Sequence, residues 1–439
     1  MKVLIISHNP MSVKFGIGKT LLASFSCFKK EELCQLYTHA GVPDRKACES
    51  YYRITDRNVL KGVLTRKVKS GTAEPVPITE QAEEKNNNIF YKNIYKNQKN
   101  KLPSREFFRD IMWKISPWYN KQVKEWIVEQ KPTCIYVAIG SNKFLYDIAI
   151  KISRDYELPI YTYVCDDFYF ANTPNGFWGY MWKKALDKKT CELMSASKQI
   201  ISICDEMSEL YSKEFFRPAL TVMTGTNYQI SKPVFKEKIR SIRYFGRLNL
   251  NRYKSIAEVC RALDKINSEN GTDYTVEIFC KELDENIKSE FRNVQSAKFS
   301  GFLLGKEFEE KLFGADVLLH VEAFDSASID RVKHSVSTKI ADSLASGIPL
   351  LAYGPSCVAS ITHLIRNNCG IVATDSAELK EKLYKLFFDG DYRKTSSIRN
   401  IEVAKKYHNP QIVSKKLHSL LSDKKTEALN ENSTGKLCL

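Results

Sequence analysis

Short runs of β-branched and apolar residues alternate with longer amphipathic stretches along almost the whole chain, and no other feature restricts its fold so strongly. Strand and helix in regular alternation favour right-handed crossovers, parallel sheets and helices on both sheet faces. The first set of strands is expected at KVLIIS (2–7), LCQLYTH (33–39), CIYVAIG (134–140), IYTYVC (160–165), QIISIC (199–204) and LTVMT (220–224). A polar stretch from Gln229 to Lys238 follows, and then a second set at IRYFG (242–246), TVEIFC (275–280), AKFSGF (297–302), ADVLLHVE (315–322), PLLAYG (349–354) and GIVAT (370–374). Each set has the size of one doubly wound unit, so the expected fold class is α/β with two Rossmann-like domains. The boundaries are drawn at 1–234, with a surface insertion at 69–101, and at 235–405. A C-terminal helix over 406–424 is expected to pack back on the first domain, and the tail 425–439 to lack structure.

Composition narrows the class. The 439 residues, 43% of them hydrophobic, contain no apolar run of the roughly 20 residues a membrane span needs. KVLIIS stops at His8 and Asn9 without a small-residue cleavage site, so it reads as a first strand rather than a leader, and a cytoplasmic location is expected. The 12 cysteines are scattered through apolar segments with no Cys-x-x-Cys pair and no zinc spacing with His, as buried reduced thiols would be. No metal and no cofactor are expected. The net charge of +16 calls for phosphate-bearing partners. Much of it lies between Arg53 and Lys124, interleaved with Tyr, Trp and Phe. Base stacking beside a basic groove, a membrane interface and a helix with an aromatic core face all suit that pattern. The interface reading is preferred: peripheral contact with an anionic membrane, and no nucleic acid.

In open parallel sheets, ligands sit at the C-terminal ends of the strands. The first strand leads through His8 and Asn9 into FGIGKT, where Gly16 and Gly18 let backbone approach a phosphate. A Walker loop fails here, because Val13 stands where its first Gly belongs. The strand IYTYVC ends in Asp166 and Asp167, suited to holding hydroxyls or to acting as a base. In the second half, Gly246, Arg247 and Arg252 follow a strand, so two guanidinium groups can converge on an anion. ADVLLHVEAFD carries a strand into Glu322 and Asp325, and a loop with Arg331, Lys333 and His334 leads to STKIADSLASGIPLLAYGP (337–355). There Ser337 and Thr338 can cap a helix whose first amides and dipole favour an anion, Lys339 adds a cation, and Asp342 shares its face. The same residues also suit an ordinary helix-to-strand join. Asp389-Gly390-Asp391 reads as a helix exit rather than a metal site.

Together these motifs resemble those of GT-B-fold glycosyltransferases, most closely the family-4 group of bacterial envelope-polysaccharide enzymes, over nearly the whole chain. Gly16 and Gly18 match that group's N-terminal glycine loop, and Gly246, Arg247, Leu248 and Arg252 its Gly-Arg-Leu-x-x-x-Lys motif, with Arg for Lys. Its Glu-x7-Glu signature falls on His334 and Asp342, and Glu322 is a candidate to supply the missing carboxylate from elsewhere. The resemblance implies two domains facing across a cleft, the first for the acceptor and the second for a nucleotide-sugar donor. It implies metal-independent transfer with retention, in polysaccharide biosynthesis, to a glycan or lipid-linked acceptor. Arg247, Arg252 and Lys339 would stabilise the leaving diphosphate. Ser337 and Thr338 would lie at the phosphates, Asp342 at the ribose, and Asp166 would orient an acceptor hydroxyl, or serve as general base were the reaction inverting. A sugar-nucleotide epimerase of the same fold and a basic nucleic-acid-binding protein remain as alternatives.

Overall fold

A computed structural model describes residues 1–44, 46–66, 68, 71–72, 103–171, 176–281 and 285–422. The expected insertion, apart from Gly71 and Thr72, and the expected tail lie outside them. The chain divides into two compact units. In the first, the elements run β1 (Val3–Ser7), α1 (Gly16–Ser24), β2 (Leu33–Tyr37), β3 (Ser50–Arg53), α2 (Asp56–Thr65), β4 (Gly71–Thr72), α3 (Pro103–Ile115), α4 (Lys121–Gln130), β5 (Cys134–Ala138), α5 (Phe144–Tyr156), β6 (Ile160–Val164), α6 (Phe177–Ala196), β7 (Ser197–Ser202), α7 (Asp205–Phe215) and β8 (Ala219–Thr221). Their sheet has the order β4-β3-β2-β1-β5-β6-β7-β8 and is parallel except at β3/β4. β1, β2, β5 and β6 are buried at every position, as strands covered on both faces must be, which is why they read as near-continuous apolar runs, with Gln35 and Thr162 the buried polar residues inside β2 and β6.

The second unit contains β9 (Ser241–Phe245), α8 (Arg252–Asn270), β10 (Thr275–Phe279), α9 (Glu285–Glu290), β11 (Ala297–Phe299), α10 (Gly305–Phe313), β12 (Val317–Val321), α11 (Ser326–Val332), α12 (Thr338–Ala345), β13 (Leu350–Tyr353), α13 (Ala359–Arg366), β14 (Ile371–Ala373), α14 (Ser376–Phe388) and α15 (Gly390–Tyr407). Its all-parallel sheet has the order β11-β10-β9-β12-β13-β14, the Rossmann order. Buried Ile242, Tyr244, Ile278, Val317, Leu319, Leu351 and Ile371 of the strands pack with Ile256, Leu263, Leu379 and Leu383 of the flanking helices. Asp389 joins α14 to α15, accepting from Tyr392 N at 2.9 Å, so the Asp-Gly-Asp triplet is a helix junction.

The units are not divided where the sequence suggested. The chain enters the second at Val222, not 235, and residues 222–234 are hydrogen-bonded along it: Thr226 N to His408 O at 2.9 Å, Ser231 N to Ala345 O at 2.9 Å and Val234 N to Gly347 O at 2.9 Å. These are backbone bonds made by an irregular polar segment, so no periodicity betrays them. Ile203–Met207 also belong to the second unit, and the last helix, α16 (Pro410–Ser422), rejoins the first from Ser414 onward. Ser414 Oγ accepts from Cys27 N at 2.9 Å and the His418 ring lies 4.7 Å from that of Phe28. The second unit is thus inserted within the first.

Candidate functional site

In the second sheet the strand order reverses between β9 and β12, and a ligand crevice is expected outside their C-terminal ends. β9 runs directly into Gly246 and Arg247, and β12 into Glu322. A Cβ on Gly246 would collide with Lys339 Nζ, and its φ of +152° is open to glycine and hardly any other residue. The Lys339 ammonium therefore lies against bare backbone, 5.4 Å from the centre of the Tyr244 ring. The Tyr244 hydroxyl donates to Arg247 O at 2.8 Å, which fixes the turn that presents Arg247.

Arg252 is aimed by an unusual helix entry. Leu250 and Asn251 both adopt left-handed φ, 55° and 53°, immediately before α8, and Asn251 Nδ2 donates to Asp325 Oδ2 at 3.0 Å. Arg252 then grips Glu322 Oε2 with Nε at 3.0 Å and a terminal nitrogen at 2.8 Å. Glu322 is buried, its own carbonyl taking the Ser255 hydroxyl at 2.9 Å. His320 Nε2 lies 3.2 Å from Glu322 Oε1, off the line of a good hydrogen bond. Burial works against the charge on Glu322, yet His320 and Arg252 outweigh it and hold the carboxyl below its usual range. Oε2 of Glu322 is therefore taken by Arg252, a pairing that the expectation of a carboxylate for the sugar did not foresee.

Three cations, Arg247, Arg252 and Lys339, thus share one recess with a single carboxylate. Solvent reaches Lys339, but protein walls it closely. That crowding, with repulsion from Arg252 and Arg247 only partly offset by Glu322, pulls its pKa down to about 8. Like charges held together with only partial compensation give the recess a net positive potential, which attracts anions.

The other expected residues divide. Ser337 is the N-cap of α12, but its side chain makes no capping bond; its amide instead donates to Ser360 Oγ at 2.9 Å. Thr338 is exposed at the same helix start. Asp342 Oδ1 accepts from Thr226 Oγ1 at 2.8 Å and Asn227 N at 3.4 Å, binding the entering segment to α12. His334 is half-buried, and its carbonyl takes the Cys204 thiol at 3.1 Å. Gly18, in the first unit, answers a packing need, since a Cβ there would collide with the carbonyls of Pro10 and Ser12, whereas Gly16 faces open space. Asp166 is exposed beyond β6; its neighbour Asp167 is buried and accepts from Phe170 N at 2.9 Å and Tyr211 Oη at 3.1 Å.

Sequence reasoning passed over Tyr244 and His320, which lie inside buried strands. It also passed over a polar network in the first unit. There Asp56 takes Arg109 Nε at 3.1 Å and Trp113 Nε1 at 2.8 Å, while Arg109 donates to Asn142 Oδ1 at 2.6 Å, just past β5. Nearby, Gly41 N donates to His39 Nδ1 at 2.9 Å, and burial lowers the pKa of that imidazole. Among the described residues no group of three or more His, Cys, Asp or Glu is placed to hold a metal ion.

Two Rossmann-type units, the second with a cation cluster at its switch point, define a chain of the GT-B fold. Solved structures bear this out along the whole length. HepE of Anabaena, described in complex with UDP, superimposes with a TM-score of 0.61 at 11% identity over 96% of this chain and 100% of its own. Sucrose-phosphate synthase of Thermosynechococcus elongatus gives 0.63 at 9% identity over 99% and 100%. WaaG, a glycosyltransferase involved in lipopolysaccharide biosynthesis, gives 0.55 at 13% identity over 96% and 99%. No protein-family model and no curated protein sequence matches the chain.

Proposed function

We propose that the chain is a glycosyltransferase that moves a sugar from a nucleotide-sugar donor to a glycan or lipid-linked acceptor in polysaccharide biosynthesis. The observation that carries this reading is the convergence of Arg247, Arg252 and Lys339 beside Gly246 at the switch point of the second sheet. As the bond from sugar to diphosphate breaks, negative charge grows on the leaving oxygens, and fixed cations there lower the barrier. Glu322 has a positioning role: it holds the Arg252 fork and leaves the recess net positive. Thr338 and the first amides of α12 add donors to the phosphates. In this reading the reaction needs no metal and retains the anomeric configuration, a donor phosphate oxygen taking the acceptor proton, with Asp166 orienting the acceptor hydroxyl. Asp342 is proposed for the ribose. The setting is a membrane with anionic lipid, contacted from one side. HepE, which shares the fold, holds UDP in its solved structure, so UDP is the first nucleotide to try.

Thermal-shift measurements against UDP, GDP, CMP and dTDP should show stabilisation by one of them, by about 2.7 kcal/mol at a hundredfold excess over Kd. Arg247→Ala and Lys339→Ala should each lower turnover about a hundredfold or more. Near-normal turnover in both variants, or no nucleotide effect, would remove the reading. Release of an altered sugar nucleotide from donor alone, with no transfer, would favour an epimerase instead.

A further inference from the structure

Helices α2, α3 and α6 of the first unit pack side by side and turn a common apolar face to solvent. On α3 the exposed positions Phe108, Ile111 and Ile115 recur at spacings of three and four, one stripe of an amphipathic helix. The opposite side of that helix buries Trp113, so the stripe is a second apolar face rather than the core face. Phe177 and Trp178 continue it at the start of α6, 69% and 44% exposed, with the Trp178 ring 6.5 Å from Phe108. Leu64 of α2 adds a side chain 76% exposed. An apolar patch spread over three helices is more than the scattered hydrophobics of an ordinary surface.

Charge decides what such a patch fits. The exposed charged residues described in α2 and α3 are Arg57, Lys61, Arg105 and Lys114, all cationic, and Lys184 and Lys188 extend them along α6. On the helical wheel Arg105 and Lys114 flank the α3 stripe on its two sides. The carboxylates of these helices are each paired with a cation: Asp56 and Glu106 with Arg109, Asp110 with Lys143, Asp187 with Lys183, and the exposed Glu192 with Lys189, which leaves the face net positive. A second copy meeting this face through a two-fold axis would set cation against cation. A nucleic acid would gain little from the Ile and Leu side chains, which offer no stacking plane. Apolar and aromatic side chains rimmed by Lys and Arg are what a lipid headgroup layer takes up.

We propose that the face formed by α2, α3 and α6 seats on an anionic bilayer, with Phe108, Ile115 and Trp178 at headgroup depth and the flanking cations on lipid phosphates. This gives a place to the membrane contact in the reading above, but it needs neither nucleotide nor transfer. The test is co-sedimentation of the full chain with vesicles of phosphatidylcholine alone or mixed with phosphatidylglycerol. Binding is expected to the mixed vesicles only. Each of Lys61→Gln, Arg105→Gln and Lys114→Gln should weaken it about fivefold. Phe108→Ser and Trp178→Ala should weaken it at unchanged charge. Binding that ignores the apolar variants, binding equal on neutral vesicles, or a dimer abolished by Phe108→Ser with no vesicle affinity would each overturn the proposal. Vesicle binding by a chain that no nucleoside diphosphate stabilises would refute the transferase reading and leave this face standing.

Discussion

Raising the pH should weaken nucleoside diphosphate binding through one residue, Lys339. Its pKa in the free protein is about 8, lowered first by the surrounding protein and then by Arg252 and Arg247. A bound diphosphate reverses the balance of charge and returns the amine toward its ordinary 10.5. Affinity is therefore full below pH 8, where the amine is already charged, and declines above it, where binding must first recruit a proton. Between pH 7 and 9 the dissociation constant should rise by at most about tenfold; screening by the solvent that reaches Lys339 brings the expected rise to roughly three- to tenfold. Isothermal titration with UDP at constant ionic strength measures this directly. Lys339→Arg supplies the comparison, because a guanidinium keeps its charge throughout and any titration of the nucleotide itself is common to both proteins. Parallel curves for the wild type and Lys339→Arg would show that Lys339 does not meet the anion as an ammonium, and the argument built on the cation cluster would fail.

Glu322→Gln should destabilise the second unit by about 2 kcal/mol or more, because a largely buried guanidinium loses its partner; it should also move the break in the pH profile downward, since Glu322 supports the charge on Lys339. Gly246→Ala should weaken UDP binding at least about tenfold with only a modest fall in Tm, because the added methyl strains the turn and displaces the Lys339 amine; an unchanged Kd by titration calorimetry would contradict the placement. His363 and His408, whose Nε2 atoms lie 3.2 Å apart, are pushed by burial from 6.5 to about 3 and about 4. Both rings take up protons on unfolding, so they cost nothing above about pH 6.5 and about 2 kcal/mol each by pH 5; urea melts of wild type and His363→Gln across that window should converge as the pH falls.

Strand identity in both sheets was legible for the most part because doubly buried parallel strands are written as near-continuous apolar runs. β3 was not: SYYR stands between polar residues at the head of the basic region, and only its pairing with β2 explains why Tyr51 and Tyr52 are buried. Within the candidate site, that Arg247, Arg252 and Lys339 gather at one end of the second sheet was legible, because each follows a strand or opens a helix there. Tyr244 and His320 were not, since an aromatic inside a buried strand looks like core. Glu322 was visible as a residue, but its partner lies 70 positions away in sequence, and no local pattern announces that Arg252 would claim it. Ser337 illustrates the reverse failure: its residue type fits a cap, yet the neighbouring Ser360 hydroxyl takes its amide and the capping bond is not made.

The insertion of the second unit within the first bears on how the chain is made. Residues 222–413 must leave the ribosome before the segment from Ser414 that completes the first unit. At ordinary elongation rates that interval is on the order of ten to forty seconds. During it the β-sheet of the first unit waits with the seat of α16, including Phe28, uncovered, while the second unit has all of its own strands. The later-encoded unit is therefore expected to become protease-resistant first, and emergence of α16, rather than of the N-terminal half, should time the closing of the other.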